Sequence, residues 1–354
     1  MNDAHYMSLA LNLAEQGRFS VSPNPMVGCV IVKNNKIIGQ GYHQRAGEPH
    51  AEILALRDAG DAAKGATAYV TLEPCCHQGR TPPCRNALLS AGIKKIYVAS
   101  IDPNPLVAGK GIHLLRAAGI DVEAGLLEKK AKQLNEIFFH YIIHKRPFVI
   151  AKWAMSLDGK TCVNTLDSKQ ISGIKANAHT HQLRREVDAI LVGANTLCED
   201  DPELTARSAD GNVIKHLTKI ILAGKNRIPH HLNVFKNTSF GKTIIATSNE
   251  KHKEWFAPLL SEKIELLMLP KNKNGYPSLT VLLDELGKKE ITSILVEGGM
   301  TTHQHFFAEN LVNKIHVYLS PILIGTLQKK RPLIFSDASL LGKDIHFSTY
   351  WENA

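Results

Sequence analysis

The side chains best suited to chemistry sit in two places. One is His50-Ala51-Glu52. The other is the run Glu73-Pro74-Cys75-Cys76-His77-Gln78-Gly79-Arg80-Thr81-Pro82-Pro83-Cys84. A catalytic zinc takes three protein ligands and leaves its fourth tetrahedral position to water. His50, Cys75 and Cys84 would supply those three, with Cys75 favoured over Cys76 because it directly follows Pro74. Such an ion lowers the pKa of its water to about 7 and so makes a nucleophile available at neutral pH. Glu52 is not needed as a ligand and stands where a proton carrier would. The alternative is a structural zinc with a fourth protein ligand from Cys76 or His77. Adjacent cysteines chelate one tetrahedral ion awkwardly, and that arrangement would leave Glu52 without a role.

The elements around these residues must bring them together. Apolar spacing predicts a helix over 3–16, and the rigid turn Ser22-Pro23-Asn24-Pro25-Met26-Val27-Gly28 leads into a hairpin of Cys29–Val32 and Lys36–Gly41 turning at Asn34-Asn35. Gly47-Glu48-Pro49 breaks the chain, and a helix is expected from His50 to Ala59. Residues two apart on a helix point to different sides, so His50 and Glu52 can converge only on something at the helix end. Free N–H groups and the dipole favour an anion there. A strand over Ala66–Leu72 runs out at Glu73-Pro74, Pro83-Cys84-Arg85 opens the next helix, and the strand Lys95–Ser100 leads to the turn Asp102-Pro103-Asn104-Pro105. Further on, a helix at about 112–118, a strand near 120–124 and one helix over about 127–140 are expected. Strands alternating with helices argue for an α/β layered fold with sites at strand ends.

The whole chain sets wider bounds. Its 354 residues suggest two domains, divided near His144-Lys145-Arg146-Pro147. It has no apolar run of about eighteen residues and no charged-then-apolar leader pattern, so a cytoplasmic protein without membrane partners is expected. The net charge of +9 is spread out, without the basic stripe interleaved with aromatics that marks nucleic-acid binding. Six cysteines are too few for a disulfide framework in a chain of this length. Cys29, Cys162 and Cys198 are expected to be small buried core residues.

H-x-E followed by P-C and a second cysteine is the pattern of zinc deaminases, although eight residues separate Cys75 from Cys84 here. With Gly79-Arg80-Thr81-Pro82-Pro83-Cys84, Ser22–Gly28 and Asp102-Pro103-Asn104-Pro105-Leu106-Val107-Ala108-Gly109-Lys110-Gly111, the first half resembles the pyrimidine deaminase domain of the bifunctional riboflavin-biosynthesis deaminase/reductase family. The Asn24-Pro25 pair just before a strand is either simple punctuation or a place to hold a substrate ring by side-chain amide and backbone groups.

The second half alone reads as an α/β domain of open purpose. Strands are expected at Phe148–Ala154, Ala189–Gly193, Lys219–Leu222, Thr243–Thr247 and Ile294–Glu297. Gly298-Gly299 follows the last of them and enters a helix, either a plain tight turn or a place where backbone can approach a phosphate, and no G-x-G-x-x-G of a Rossmann site occurs. Lys152–Lys160, Asp188–Thr196, Asp200–Arg207 and Glu297-Gly298-Gly299 are similar to the reductase domain of the same family.

The resemblance implies a cytidine-deaminase-like three-layer α/β/α domain over 1–146, followed by a dihydrofolate-reductase-like α/β domain over 147–354. It implies zinc and NADPH as cofactors and a small phosphorylated pyrimidine as substrate. The chain is expected to be a homo-oligomer. Cofactor contacts are implied at Ala154, Gln170, Thr196, Asp200, Gly298, Gly299, Met300 and Thr301, and substrate contacts at Ser168, Arg184, Leu204, Arg207 and Glu297. Gln170 stands where the family often carries an aromatic, so an amide there exchanges stacking for hydrogen bonding. His179 and His181 are expected on a solvated helix face.

Overall fold

The structure, a computed structural model, describes residues 2–76, 83–105, 107–161, 171–224, 227–325, 331–332, 337–341 and 344–348. The chain divides into two compact units, Met1–Phe148 with Leu283–Ser293, and Val149–Leu282 with Ile294–Ala354.

The first unit contains α1 (Asp3–Glu15), β1 (Gly28–Lys33), β2 (Lys36–Tyr42), α2 (Ala51–Ala59), β3 (Thr67–Val70), α3 (Cys84–Ser90), β4 (Lys95–Val98), α4 (Lys110–Ala117), β5 (Asp121–Ala124), α5 (Glu128–Leu134) and α6 (Glu136–His144). Its sheet has the order β2-β1-β3-β4-β5, with β1 antiparallel to both neighbours and β3, β4 and β5 parallel. Successive residues of a strand face opposite ways. Cys29 and Ile31 accordingly pack with Ala55, Leu88 and Leu115 of α2, α3 and α4. Val30 and Val32 pack with Met7, Ala10 and Ala131 of α1 and α5 on the other face. The result is three layers, α/β/α.

One expectation changes here. The single helix over about 127–140 is two helices, because Asn135 leaves helical geometry at φ −105°, ψ 25°. Its side chain reaches back to the first turn of the unit, where Oδ1 accepts from Met26 N at 2.7 Å and Nδ2 donates to Met26 O at 2.8 Å. That bidentate clasp holds the Ser22–Gly28 turn. Cys29 is buried as expected, Cys198 is exposed, and Cys162 lies outside the described residues.

The second unit is built on β6 (Phe148–Ser156), α7 (Ile174–Glu186), β7 (Ala189–Gly193), α8 (Ala194–Asp200), β8 (Ala206–Arg207), β9 (Val213–Lys215), β10 (Thr218–Ala223), α9 (Asn233–Lys236), β11 (Thr243–Thr247), α10 (Lys251–Phe256), β12 (Ile264–Met268), α11 (Leu279–Lys288, which crosses between the units), β13 (Ser293–Val296), α12 (Met300–Ala308) and β14 (Lys314–Ser320). A seven-stranded sheet has the order β12-β11-β10-β7-β13-β6-β14. Strands β12, β11, β10, β7 and β13 are parallel, as are β6 and β14. Central strands such as β7 and β11 are buried along nearly their whole length, which explains their continuous apolar runs. Strands β12 and β14, at the sheet edges, were not expected from the sequence. Among the described residues, no helix is long and apolar enough to cross a membrane.

Lys219 in β10 is fully buried, and its Nζ donates to Asn237 O at 3.0 Å. Burial lowers its pKa to about 8. Below that pH the folded protein carries the whole desolvation cost. As pH rises through 8, the folded state loses the proton before the unfolded chain does, and stability rises. Lys219→Met is therefore expected to raise stability at pH 7 by about 2–3 kcal/mol, with the gain shrinking in alkaline buffer. Thermal unfolding at several pH values measures this, and an unchanged or lowered melting temperature at pH 7 would refute it.

Candidate active sites

In the first unit the reactive side chains meet where β3 runs out. His50 is the N-cap of α2 in extended conformation (φ −71°, ψ 162°), so its ring turns back across the helix end while Glu52 sits in the first turn. This is how two residues that would diverge along a helix converge at its tip. Cys84 is the first residue of α3, with Pro83 as N-cap. Its backbone N–H donates to Cys75 Sγ at 3.2 Å, so a helix start supports the thiolate. His50 Nδ1 lies 3.1 Å from Cys84 Sγ and 3.6 Å from Cys75 Sγ, and the three ligand atoms all fall within 4.8 Å of one another.

Tetrahedral zinc, with bonds of about 2.0 Å to nitrogen and 2.3 Å to sulfur, separates N and S ligands by about 3.5 Å. The observed spacings bracket that value, so the donor set fits zinc. Cys76 is not part of the group, and His77 lies outside the described residues.

The electrostatics agree with a metal-ready site. A hydrogen bond from Cys84 is the main cause that lowers the Cys75 thiol, and the same bond, with burial, raises Cys84. Glu52 is 3% exposed. Burial first, then the Cys75 thiolate, raise it to about 7, where a carboxyl exchanges protons readily at neutral pH.

His50, Glu52 and Cys75 line a cavity of about 520 Å³, also lined by Asn24, His43, Asp102, Asn104 and Tyr141. His43 Nδ1 lies 3.3 Å from Pro49 O and its Nε2 lies 3.0 Å from Asn24 Nδ2. A carbonyl only accepts, so the ring proton sits on Nδ1 and Nε2 accepts from the Asn24 amide. Asn24 is thereby oriented with Oδ1 as its remaining acceptor. His43 drew no notice in the sequence because nothing local marks it.

In the second unit, β7 and β13 are neighbouring parallel strands, so the turns at their ends lie side by side. Thr196 and Asp200 are on α8, Gly298 and Gly299 follow β13, and Met300 and Thr301 begin α12. A Cβ on Gly299 would come within 3.1 Å of Thr196 Oγ1, so the two turns are in contact. Gly299 caps α12 without a side-chain hydrogen bond, leaving N–H groups suited to a phosphate. That fits a dinucleotide. Ala154 is half-buried on β6. Ser168 and Gln170 lie outside the described residues.

Arg184 on α7 donates from Nε and Nη2 to the two carboxylate oxygens of Glu297 (2.7 and 2.9 Å) and from Nη1 to Thr205 O (3.0 Å). Their side chains are 17% and 10% exposed. Arg207 donates to Glu203, Thr205 Oγ1 and Gly211 O. Leu204, beside Thr205, is buried with φ +54°. Arg184, Leu204, Arg207 and Glu297 thus form one neighbourhood. The guanidinium groups already spend several N–H groups inside the protein, so what they chiefly add is fixed positive charge.

Two residues join this cluster that the sequence assigned no part in the site. Lys152 on β6 is acted on by both Glu297 and Arg184, and burial lowers its pKa. His181 is half-buried, and its Nδ1 accepts from Arg207 N at 3.2 Å, so it does not lie on a solvated face as expected. His179 is exposed, with Nδ1 2.7 Å from Tyr318 OH. Burial opposes the charge on Glu297, but Arg184, with Lys152 and His181, overcomes it and holds the carboxyl below the usual range.

An α/β/α unit whose His/Cys/Cys triad stands beside a buried, unligated glutamate defines a zinc-dependent deaminase. The second unit, with glycine and threonine turns at adjacent strand ends, offers backbone N–H groups suited to a phosphate-bearing ligand. Comparison with known proteins agrees. The cytidine and deoxycytidylate deaminase zinc-binding region matches residues 1–100, and the RibD C-terminal domain matches residues 147–349. The riboflavin biosynthesis protein RibD of Aquifex aeolicus is 45% identical over 324 residues, 91% of this chain and 88% of the relative. The structure of Acinetobacter baumannii RibD superposes with a TM-score of 0.81 at 37% identity, covering 98% of this chain and 97% of that one. A Thermotoga maritima diaminohydroxyphosphoribosylaminopyrimidine deaminase/5-amino-6-(5-phosphoribosylamino)uracil reductase gives 0.80 at 32% identity, covering 97% of each chain. The chain belongs to the RibD family: it is a bifunctional deaminase and reductase of riboflavin biosynthesis, using zinc and NADPH.

Proposed function

We propose that residues 1–146 deaminate 2,5-diamino-6-ribosylamino-4(3H)-pyrimidinone 5′-phosphate and that residues 147–354 reduce the product's ribosyl group to ribityl, giving 5-amino-6-ribitylamino-uracil 5′-phosphate. The observation that carries this reading is the grouping of His50, Cys75 and Cys84 at a cavity that His50, Cys75 and Glu52 line. His50, Cys75 and Cys84 would hold zinc, which when bound would supply an activated water. Glu52 would carry a proton from the attacking water to the amino group as the ring C–N bond breaks. Asn24, oriented by His43, offers Oδ1 to an N–H of the ring.

In the second unit, Ala154, Gln170, Thr196, Asp200 and Gly298–Thr301 would hold NADPH, which supplies hydride when bound. Ser168, Leu204, Arg207 and the Arg184–Glu297 pair would hold the sugar phosphate, with Lys152 beside them as a further cation. A metal site built on Cys75 and Cys84 suits a reducing cytoplasm. A homo-oligomer is supported by β14, an edge strand exposing Ile315 and Val317.

Treatment with a strong chelator is expected to stop ammonia release while NADPH oxidation on the deaminated intermediate continues at its original rate. Loss of both activities together would show that the two sites are not separable.

A further inference from the structure

Glu73 leaves β3 just ahead of Pro74 and Cys75 and is 4% exposed. It is neither a ligand nor the proton carrier. Its carboxylate instead accepts backbone N–H groups from one distant stretch: Oε2 from Asp102 at 3.2 Å and Gly109 at 2.8 Å, and Oε1 from Ile112 at 3.2 Å. The start of α4 has no side-chain cap of its own; Gly109, at φ +80°, is its N-cap. The orphan N–H groups every helix start presents are here met by a carboxylate from another element. Contact is close as well, since a Cβ on Gly111 would lie 2.3 Å from Pro74 O and 3.1 Å from Glu73 Oε1. The stretch so held includes Asp102 and Asn104, which line the cavity with Glu52 and Cys75. Asn104 N donates to Asp102 Oδ1 at 2.8 Å, which passes the anchorage on to Asn104.

We propose that Glu73 is a positioning residue of the deaminase, locking the Asp102–Asn104 wall of the cavity to the segment that carries Cys75, so that polar groups of the phosphorylated pyrimidine meet preset partners. This rests on the reading of that cavity as the deaminase site. An ionised carboxylate is acceptor-only and can satisfy every N–H aimed at it. Glutamine has the same shape but must turn its NH2 towards at least one of those donors. The wall then loosens while the metal ligands stay where they are.

The test uses the full-length zinc-loaded chain with Glu73→Gln. Deaminase KM is expected to rise about tenfold or more with kcat changed by less than about threefold. Zinc content and reductase turnover should match wild type. Amide hydrogen exchange across residues 101–113, measured without substrate, is expected to quicken about tenfold. Gly111→Ala, which pushes α4 away from Pro74 by sterics instead, should raise KM in the same direction. A purely structural cap would lower the melting temperature and leave KM alone. Unchanged KM in both variants overturns the proposal, as does zinc loss with unchanged exchange over 101–113. If the wild-type protein shows no deamination, the reading of the cavity fails, and exchange alone decides whether Glu73 anchors this stretch.

Discussion

Glu52→Gln is expected to slow deamination by about two to four orders of magnitude, the range for losing a positioned general acid/base. The substitution keeps the shape and the hydrogen-bonding reach of the side chain but removes its ability to take a proton and return it. Glu52 is buried and not a ligand, so zinc content should stay at the wild-type level. Reductase turnover on the same chain serves as an internal control for folding. Metal analysis and the two activity assays together make the measurement. Near-normal ammonia release by the variant would remove Glu52 from the mechanism.

The second large effect is expected at Glu297. Breaking a buried, hydrogen-bonded ion pair by removing one charge costs about 3–5 kcal/mol, because the surviving charge is left without compensation. Glu297→Gln would set a neutral amide against Arg184 Nε and Nη2, with Lys152 and His181 also facing it. The melting temperature of the reductase unit should fall, and NADPH oxidation should fall with it, while deamination persists. The pH dependence has a definite sign. The folded pKa of Glu297 lies below its unfolded value, so the unfolded chain binds the proton first as pH falls. The pair's contribution is therefore complete at neutral pH, declines as pH falls through the carboxylate range, and should be missing from the variant's stability profile. Equal stability of variant and wild type at pH 7 would show that the pair contributes nothing.

The grouping of His50, Cys75 and Cys84 was largely legible in the sequence. Zinc accepts few residue types, and His50, Cys75 and Cys84 fall in short motifs whose spacing can be seen along the chain. The β1–β2 hairpin and the buried strands β7, β10 and β11 were legible for a similar reason, since Asn34-Asn35 and continuous apolar runs are local signals. Edge strands β12 and β14 are half-solvated and carry a weaker signal, and both went unseen.

What the linear pattern does not contain is the partner of a polar side chain far away. Asn135 could not be known to break a helix in order to clasp Met26, 109 residues earlier. Arg184 and Glu297 are 113 residues apart, and only the sheet order that sets the end of β13, just before Glu297, beside β7 brings them within a hydrogen bond. Lys219 looks like any strand lysine until neighbours cover both faces of β10, and His181 looks solvated until Arg207 docks on it. The sequence by itself determined which chemistry this protein can do, because reactive groups are scarce and their motifs short. The tertiary structure alone decided which charges are buried, which are compensated, and what holds each cavity wall in place, because those depend on packing between segments that the chain order keeps apart.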